Sequence, residues 1–219
     1  MTDIFDFQEI NNILDRAYKK NNAPSVSLIS ALKKTPYHIL ISTLISLRTK
    51  DQVTLEASMR LFEKADSIEK LAELSEEEIA QLIYPCGFYK TKSVRMKEIC
   101  KILLETNNGK IPDEIDELVK LPGVGRKTAN LVVILGFNKP GICVDTHVHR
   151  ISNRIGWVNT KTPEETEFAL RKLLPPPYWR TINDYLVSYG QTICTPISPH
   201  CSICELSCVC HKNGVGKMR

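Results

Sequence analysis

Two ionisable side chains and a run of thiols are the parts of this chain whose types and spacing could do chemistry. Lys127 lies in LPGVGRKTAN (121–130), just behind two glycines and at the start of an apolar run; Asp145 lies in VDTHVHR (144–150). A lysine in the first turn of a helix faces the positive end of the helix dipole, which pushes its ammonium toward the neutral amine. A neutral amine is a nucleophile. The plain alternative is a surface lysine that touches a backbone phosphate. Asp145 could stabilise positive charge developing on a substrate or help deprotonate the lysine. It could equally cap a helix carrying Val148, Ile151 and Ile155, and the two roles are compatible.

Five of the eight cysteines fall between positions 194 and 210. Cys194, Cys201, Cys204 and Cys210 are separated by six, two and five residues, with Cys208 inside the last gap. Four thiolates in so short a span suit an iron–sulfur cluster or zinc, and spacing alone does not choose between them. The N-terminal MTDIFDFQEI places acids where a secretory signal would place bases, and no run of about 18 apolar residues exists to span a bilayer. The expected location is the cytoplasm, where disulfides are disfavoured. Cys86, Cys100 and Cys143 are scattered and read as small core hydrophobes.

The elements that must position these residues read as helices almost throughout. Ile10, Ile13, Leu14 and Ala17 recur at helical spacing, as do Val53, Ala57 and Leu61. Ser75 with Glu78 forms a capping box ahead of Ile79, Leu82 and Ile83, and Thr162, Pro163 and Glu165 make another helix start. Trp179, Ile182, Tyr185, Leu186 and Tyr189 share a face before Gly190, which offers a left-handed stop. The run LVVILGF (131–137) suits a strand or a helix, but no second strand exists to pair with it. A helix over 126–136, apolar all round, is therefore expected at the centre of the protein. The spacing predicts roughly ten helices, with the best breaks at KPG (139–141) and PPP (175–177).

In PDEIDELVK, Ile115, Leu118 and Val119 share a face, so 113–136 reads as helix, glycine turn, helix. Such a turn leaves the amides of Gly123, Val124 and Gly125 near a helix N-terminus, where amides bind phosphate. A glycine that merely ends the first helix is the bland alternative. A nucleotide P-loop is excluded, because GVGRKT lacks its spacing and no strand precedes it. Basic residues exceed acidic ones by four, so attraction to a polyanion must come from local clustering.

The hairpin followed by VDTHVHR resembles the helix-hairpin-helix DNA glycosylases, and specifically the endonuclease III branch. The resemblance runs from about residue 30 to 210 through LISLRTKDQVT (44–54), GFYKTKS (87–93), the hairpin, VDTHVHRISNRIG (144–156) and the final cysteines. It implies an all-α fold of two lobes with a DNA cleft between them: a six-helix barrel over 29–139, and a cluster lobe from 1–28 with 140–219. It further implies a monomeric glycosylase and lyase that removes oxidised pyrimidines from duplex DNA and cuts at the abasic site. Lys127 would be the nucleophile, Asp145 the catalytic carboxylate, and Cys194, Cys201, Cys204 and Cys210 the ligands of a [4Fe–4S] cluster, leaving Cys208 spare.

The resemblance also assigns the reading of the duplex. Arg48 stands where the family has a glutamine that fills the space left by the flipped base. Phe88 stands at the position of an apolar wedge, and Lys90 and Lys92 are expected to hold phosphates. Arg48 keeps open a shift toward uracil or thymine in mismatches, and a non-catalytic hairpin DNA binder is the rival outside enzymes. The TPISPH segment (195–200) has no lysine or arginine, unlike the basic loop of relatives.

Overall fold

The computed structural model describes residues 6–20 and 35–219. Every regular element among them is helical, and the chain divides into two compact units, one holding 6–20 with 142–219 and the other 35–141. The chain passes between them at Gly141–Ile142, beside KPG. The other expected boundary, between residues 28 and 29, lies outside the described residues.

The first unit contains α1 (Phe7–Lys20), α9 (Thr146–Ile155), α10 (Pro163–Leu173) and α11 (Ile182–Thr192). Their apolar faces meet in a core that includes Leu14, Val148, Ile151, Leu170 and Leu186. The Tyr185 hydroxyl donates to Asp15 Oδ1 at 2.9 Å and joins α11 to α1. Thr162 caps α10 as expected, but the Glu165 carboxylate accepts from the Lys161 amide (2.8 Å), one residue before the cap. Gly190 does not stop α11. It sits inside the helix because a side chain there would run into His147 and Arg150 of α9.

The second unit contains α2 (Pro36–Ser46), α3 (Asp51–Lys64), α4 (Ile68–Glu73), α5 (Glu76–Ile83), α6 (Tyr89–Asn107), α7 (Ile115–Leu118) and α8 (Arg126–Leu131). Both bonds of the Ser75/Glu78 capping box form, at 2.8 and 3.1 Å. Cys86 and Cys100 are buried in this core, and Cys143 is buried in the other unit. Burial pushes the Cys100 thiol up to about 12.

The 126–136 segment is buried in the core of its own unit from Thr128 to Ile134, but it is not one regular helix. It is α-helical to Leu131 and then widens into a π turn over Val132–Gly136. Gly136 there faces Pro36 so closely that a side chain would meet the backbone of α2. A second buried helix went unread in the sequence: every residue of α2 from Tyr37 to Ile45 is buried. A helix covered on all sides has no polar stripe for periodicity to report.

Candidate nucleic-acid interface

The hairpin is built around Gly123. Leu118, Leu121 and Val124 bury their side chains in the core, which anchors both arms. The turn between them puts Gly123 at φ +77°, a conformation that costs glycine nothing. Gly123 and Gly125 stay exposed. The Val124 amide, however, donates to the Leu121 carbonyl oxygen at 3.1 Å. That corrects one expectation: the Val124 N–H closes the turn itself and is not offered to a phosphate. Sequence spacing cannot show which amide a tight turn consumes.

Lys127 is exposed, one residue into α8, while the residues that follow, Thr128 to Ile134, are buried. The helix is thus held by its interior half and presents its first turn outward.

Two loops of the same unit come together beside a cavity of about 440 Å³. One carries Arg48 at φ +54° after the end of α2, and the other carries Phe88 at φ +57° before α6. The Arg48 guanidinium lies over the Phe88 ring, 5.4 Å from its centre, a favourable stacking of cation on aromatic face. Phe88 is 60% exposed, so it is not an ordinary core aromatic. Lys90 is exposed.

Lys92 is different. It is only 7% exposed, and its ammonium donates to the Ile45 carbonyl (2.6 Å), the Leu47 carbonyl (2.7 Å) and Thr49 Oγ1 (3.0 Å). An ammonium has three protons, and all three are used. Lys92 therefore does not hold a phosphate. A charged residue type suggested the surface, and partners more than forty positions away put it inside.

In the other unit, Asp145 caps α9. Its Oδ1 accepts from the amides of His147 and Val148, each at 2.9 Å, and neither bond uses Oδ2. The approach to the cap is fixed by the buried stretch Ile142–Val144, where Asn183 Nδ2 donates to the Cys143 carbonyl (3.0 Å).

The far end of α9 reaches the cysteines. Arg154 is buried, with Nη1 on Cys194 Sγ (3.4 Å) and the Thr195 carbonyl (2.7 Å), and Nη2 on the Pro196 carbonyl (2.8 Å). Arg150 donates to the Cys194 carbonyl at 2.8 Å. Tyr189 Oη lies 3.2 Å from Cys204 Sγ, and the Lys212 amide donates to Cys210 Sγ at 3.4 Å. Burial first, and then the neighbouring sulfurs, push the Cys204 and Cys210 thiols up. Cys194, Cys201, Cys204 and Cys210 are all half-buried, whereas Cys208 is exposed, its thiol 3.9 Å from the Glu205 carbonyl oxygen. Among the described residues no three His, Cys, Asp or Glu side chains are grouped so as to hold a metal ion.

Thr49 and Gly87 went unread in the sequence. Thr49 Oγ1 accepts from the Gly87 amide (3.1 Å) as well as from Lys92, and a side chain on Gly87 would strike the Arg48 carbonyl oxygen. Arg95, also unread, lies across Gly123.

Residues 41–176 match the family described as HhH-GPD superfamily base excision DNA repair protein. Endonuclease III of Thermotoga maritima is 50% identical over 187 residues, covering 84% of this chain and 88% of that one. Endonuclease III-like protein 1 of Gallus gallus is 40% identical over 200 residues, covering 90% and 68%. A solved structure of a trapped endonuclease III–DNA covalent intermediate aligns with a TM-score of 0.80 at 33% identity, covering 95% of this chain and 97% of that one. No helix among the described residues is long and apolar enough to cross a membrane. With a match over more than half its length, and a helical fold carrying the hairpin, the chain belongs to the HhH-GPD superfamily of base excision DNA repair proteins.

Proposed function

We propose that this protein is a bifunctional DNA glycosylase and abasic-site lyase acting on oxidised pyrimidines in duplex DNA, with Lys127 as nucleophile. The observation that carries the reading is the exposed Lys127 amine directly behind the Gly123 turn, in a chain similar to one trapped covalently on DNA.

The chemistry follows from an amine at C1′. A base stacked in a duplex is closed to attack, so the nucleotide is first extruded. The Lys127 lone pair then bonds to C1′ while the bond from C1′ to the base nitrogen breaks, and the base leaves with that electron pair and gains a proton. Positive charge builds on the sugar meanwhile, and the Asp145 carboxylate stabilises it or takes the proton of the lysine. Ring opening gives an imine between Lys127 and the opened sugar. The imine acidifies the C2′ proton; its loss expels the 3′ phosphate by β-elimination, and water returns the free amine. No step needs a metal at the reacting carbon.

The donor set in the cysteine loop fits a [4Fe–4S] cluster held by Cys194, Cys201, Cys204 and Cys210. Arg154 Nη1 and the Lys212 amide donate to Cys194 and Cys210, Tyr189 Oη lies against Cys204, and the buried Arg154 brings positive charge to where thiolates would sit. Zinc accepts four thiolates as well, and the six, two and five residue spacing, which resembles that of the family's cluster loop, favours the cluster. When bound it ties down a loop poor in apolar residues, in the way metal binding supplies folding free energy.

A second reading, excision of uracil or thymine from mismatches, is favoured by Arg48 at the tip of its loop. Incubation with duplexes bearing thymine glycol, dihydrouracil, uracil opposite guanine, or an abasic site tests both. Release of the oxidised bases with cleavage of the abasic strand, in chelator, is expected. Release of uracil or thymine alone would establish the second reading, and absence of any cleavage would leave only a DNA-binding hairpin.

A further inference from the structure

The loops bearing Arg48 and Phe88 have no helix in common, yet they are joined by a closed set of hydrogen bonds. Lys92 spends its three protons on Ile45 O, Leu47 O and Thr49 Oγ1. Thr49 Oγ1 accepts from Lys92 and from the Gly87 amide, and donates to Leu47 O at 3.3 Å. A hydroxyl has one proton and two lone pairs, so Thr49 is saturated as well. The carbonyls tied by Lys92 lie on either side of the last residue of α2, and the amide tied by Thr49 immediately precedes Phe88. Gly87 completes the join, since only a residue without a side chain lets this loop lie against the Arg48 carbonyl oxygen.

The clasp acts on backbone, whereas the two side chains it carries are exposed. Arg48 and Phe88 both occupy the left-handed region, which for residues other than glycine persists only when the surroundings hold it. Both are exposed and stacked on each other above the cavity. Leu47 and Tyr89, next to the two tips, pack each loop against the core, but neither reaches across to the other loop's backbone. The polar set beneath them ties the backbone of one loop to that of the other.

We propose that Lys92 and Thr49 are positioning residues that hold Arg48 and Phe88 as one preorganised pair, which enters the duplex together when a paired lesion is extruded. This rests on the glycosylase reading above. A side chain held in place before binding loses less freedom on insertion, so the clasp speeds extrusion and leaves the chemical step at C1′ untouched. Burial also depresses the Lys92 ammonium toward the neutral form, but its three bonds to oxygen use all three ammonium protons and favour the charged form.

Single-turnover base release by the full-length protein tests the proposal, with thymine glycol either paired in a duplex or placed in an unpaired bubble. Thr49→Val removes the hydroxyl at nearly constant shape and keeps Lys92 bonded to its carbonyls, so it folds where Lys92→Met loses a buried charge network. Thr49→Val is expected to slow release from the paired duplex on the order of tenfold, equivalent to about 1.4 kcal/mol, and to leave release from the bubble unchanged. Thr49→Ser restores the paired rate. Adding Thr49→Val to Arg48→Ala is expected to cost nothing further, because residues acting through one another are non-additive. Equal slowing on both substrates, or a folded Thr49→Val at the wild-type rate beside a slowed Arg48→Ala, would overturn the clasp. A serine variant no better than valine would do the same. If the wild-type protein releases no base from either substrate, the glycosylase reading falls, and with it the premise rather than the clasp itself.

Discussion

The side chain of Arg95 lies across Gly123, its Cδ 2.8 Å from where a Cβ on that glycine would stand. Gly123 is therefore fixed twice, by its positive φ and by the arginine above it, and the guanidinium is delivered to the rim of the hairpin turn. Gly123→Ala is expected to destabilise the fold by about 1–2 kcal/mol through the left-handed backbone alone. Pairing it with Arg95→Ala relieves the clash but not the backbone cost, which a double-mutant cycle by thermal melting separates. Arg95→Ala by itself is expected to weaken binding to undamaged duplex and to reduce the slope of log affinity against log salt by about 0.9.

Lys127→Ala is expected to abolish the covalent adduct formed with abasic DNA under borohydride. The side chain is exposed, so its loss is expected to shift stability by less than about 0.5 kcal/mol. A melting curve like that of the wild type beside a missing adduct checks both halves. An adduct that survives would move the nucleophile elsewhere.

Asp145 caps α9, and two substitutions separate that cap from its proposed part in base release. Asparagine caps a helix about as well as aspartate, so Asp145→Asn is expected to keep the melting temperature and to slow base release by roughly 10²–10⁴-fold through loss of the charge. Asp145→Ala is expected to cost about 1 kcal/mol of stability as well, because the amides of His147 and Val148 lose their acceptor. Equal activity in the wild type and Asp145→Asn would reduce the residue to a cap.

How much of this was legible in the sequence depends on where each residue finds its partners. The capping box at Ser75, the cap at Asp145 and the hairpin around Gly123 are made of neighbours in the chain, and they read correctly. Lys92 bonds to Ile45 and Leu47, more than forty positions back, so its burial left no local trace and its charge misled. Gly190 was read as a helix stop because glycine often is one, whereas its reason is the closeness of His147 on another helix. The all-buried α2 and the π turn failed for a common cause: periodicity detects a boundary between apolar and polar faces, and neither segment has one.

Asp184, in the first turn of α11, is expected to make stability depend on pH. Burial holds its carboxyl above the ordinary value of 3.8, so the folded chain binds this proton more tightly than the unfolded chain does. Stability from this group is therefore present at low pH and is lost as pH rises above 3.8 through the raised folded value. Asp184→Asn is expected to raise the melting temperature at neutral pH, with the gain fading as pH falls toward the ordinary value. A gain that persists in strong acid would assign it to something other than the proton.

On the proposed reading the five cysteines from 194 to 210 divide into four ligands and one spare. Cys208→Ser is expected to keep broad visible absorption and melting behaviour, because that thiol is exposed and apart from the rest. Cys210→Ser is expected to lose both, and prolonged chelation of the wild-type protein is expected to lower its melting temperature. Stoichiometric zinc in place of iron would overturn the ligand assignment.

Helix α9 behaves as a strut about 15 Å long, with Asp145 seated on one tip and Arg154 moored to the thiol-rich loop at the other. Loosening that mooring lets the strut swing, and a small swing at one tip displaces the carboxylate at the other. On the proposed reading, an empty cysteine loop would then be felt at the distant carboxylate as a change of position.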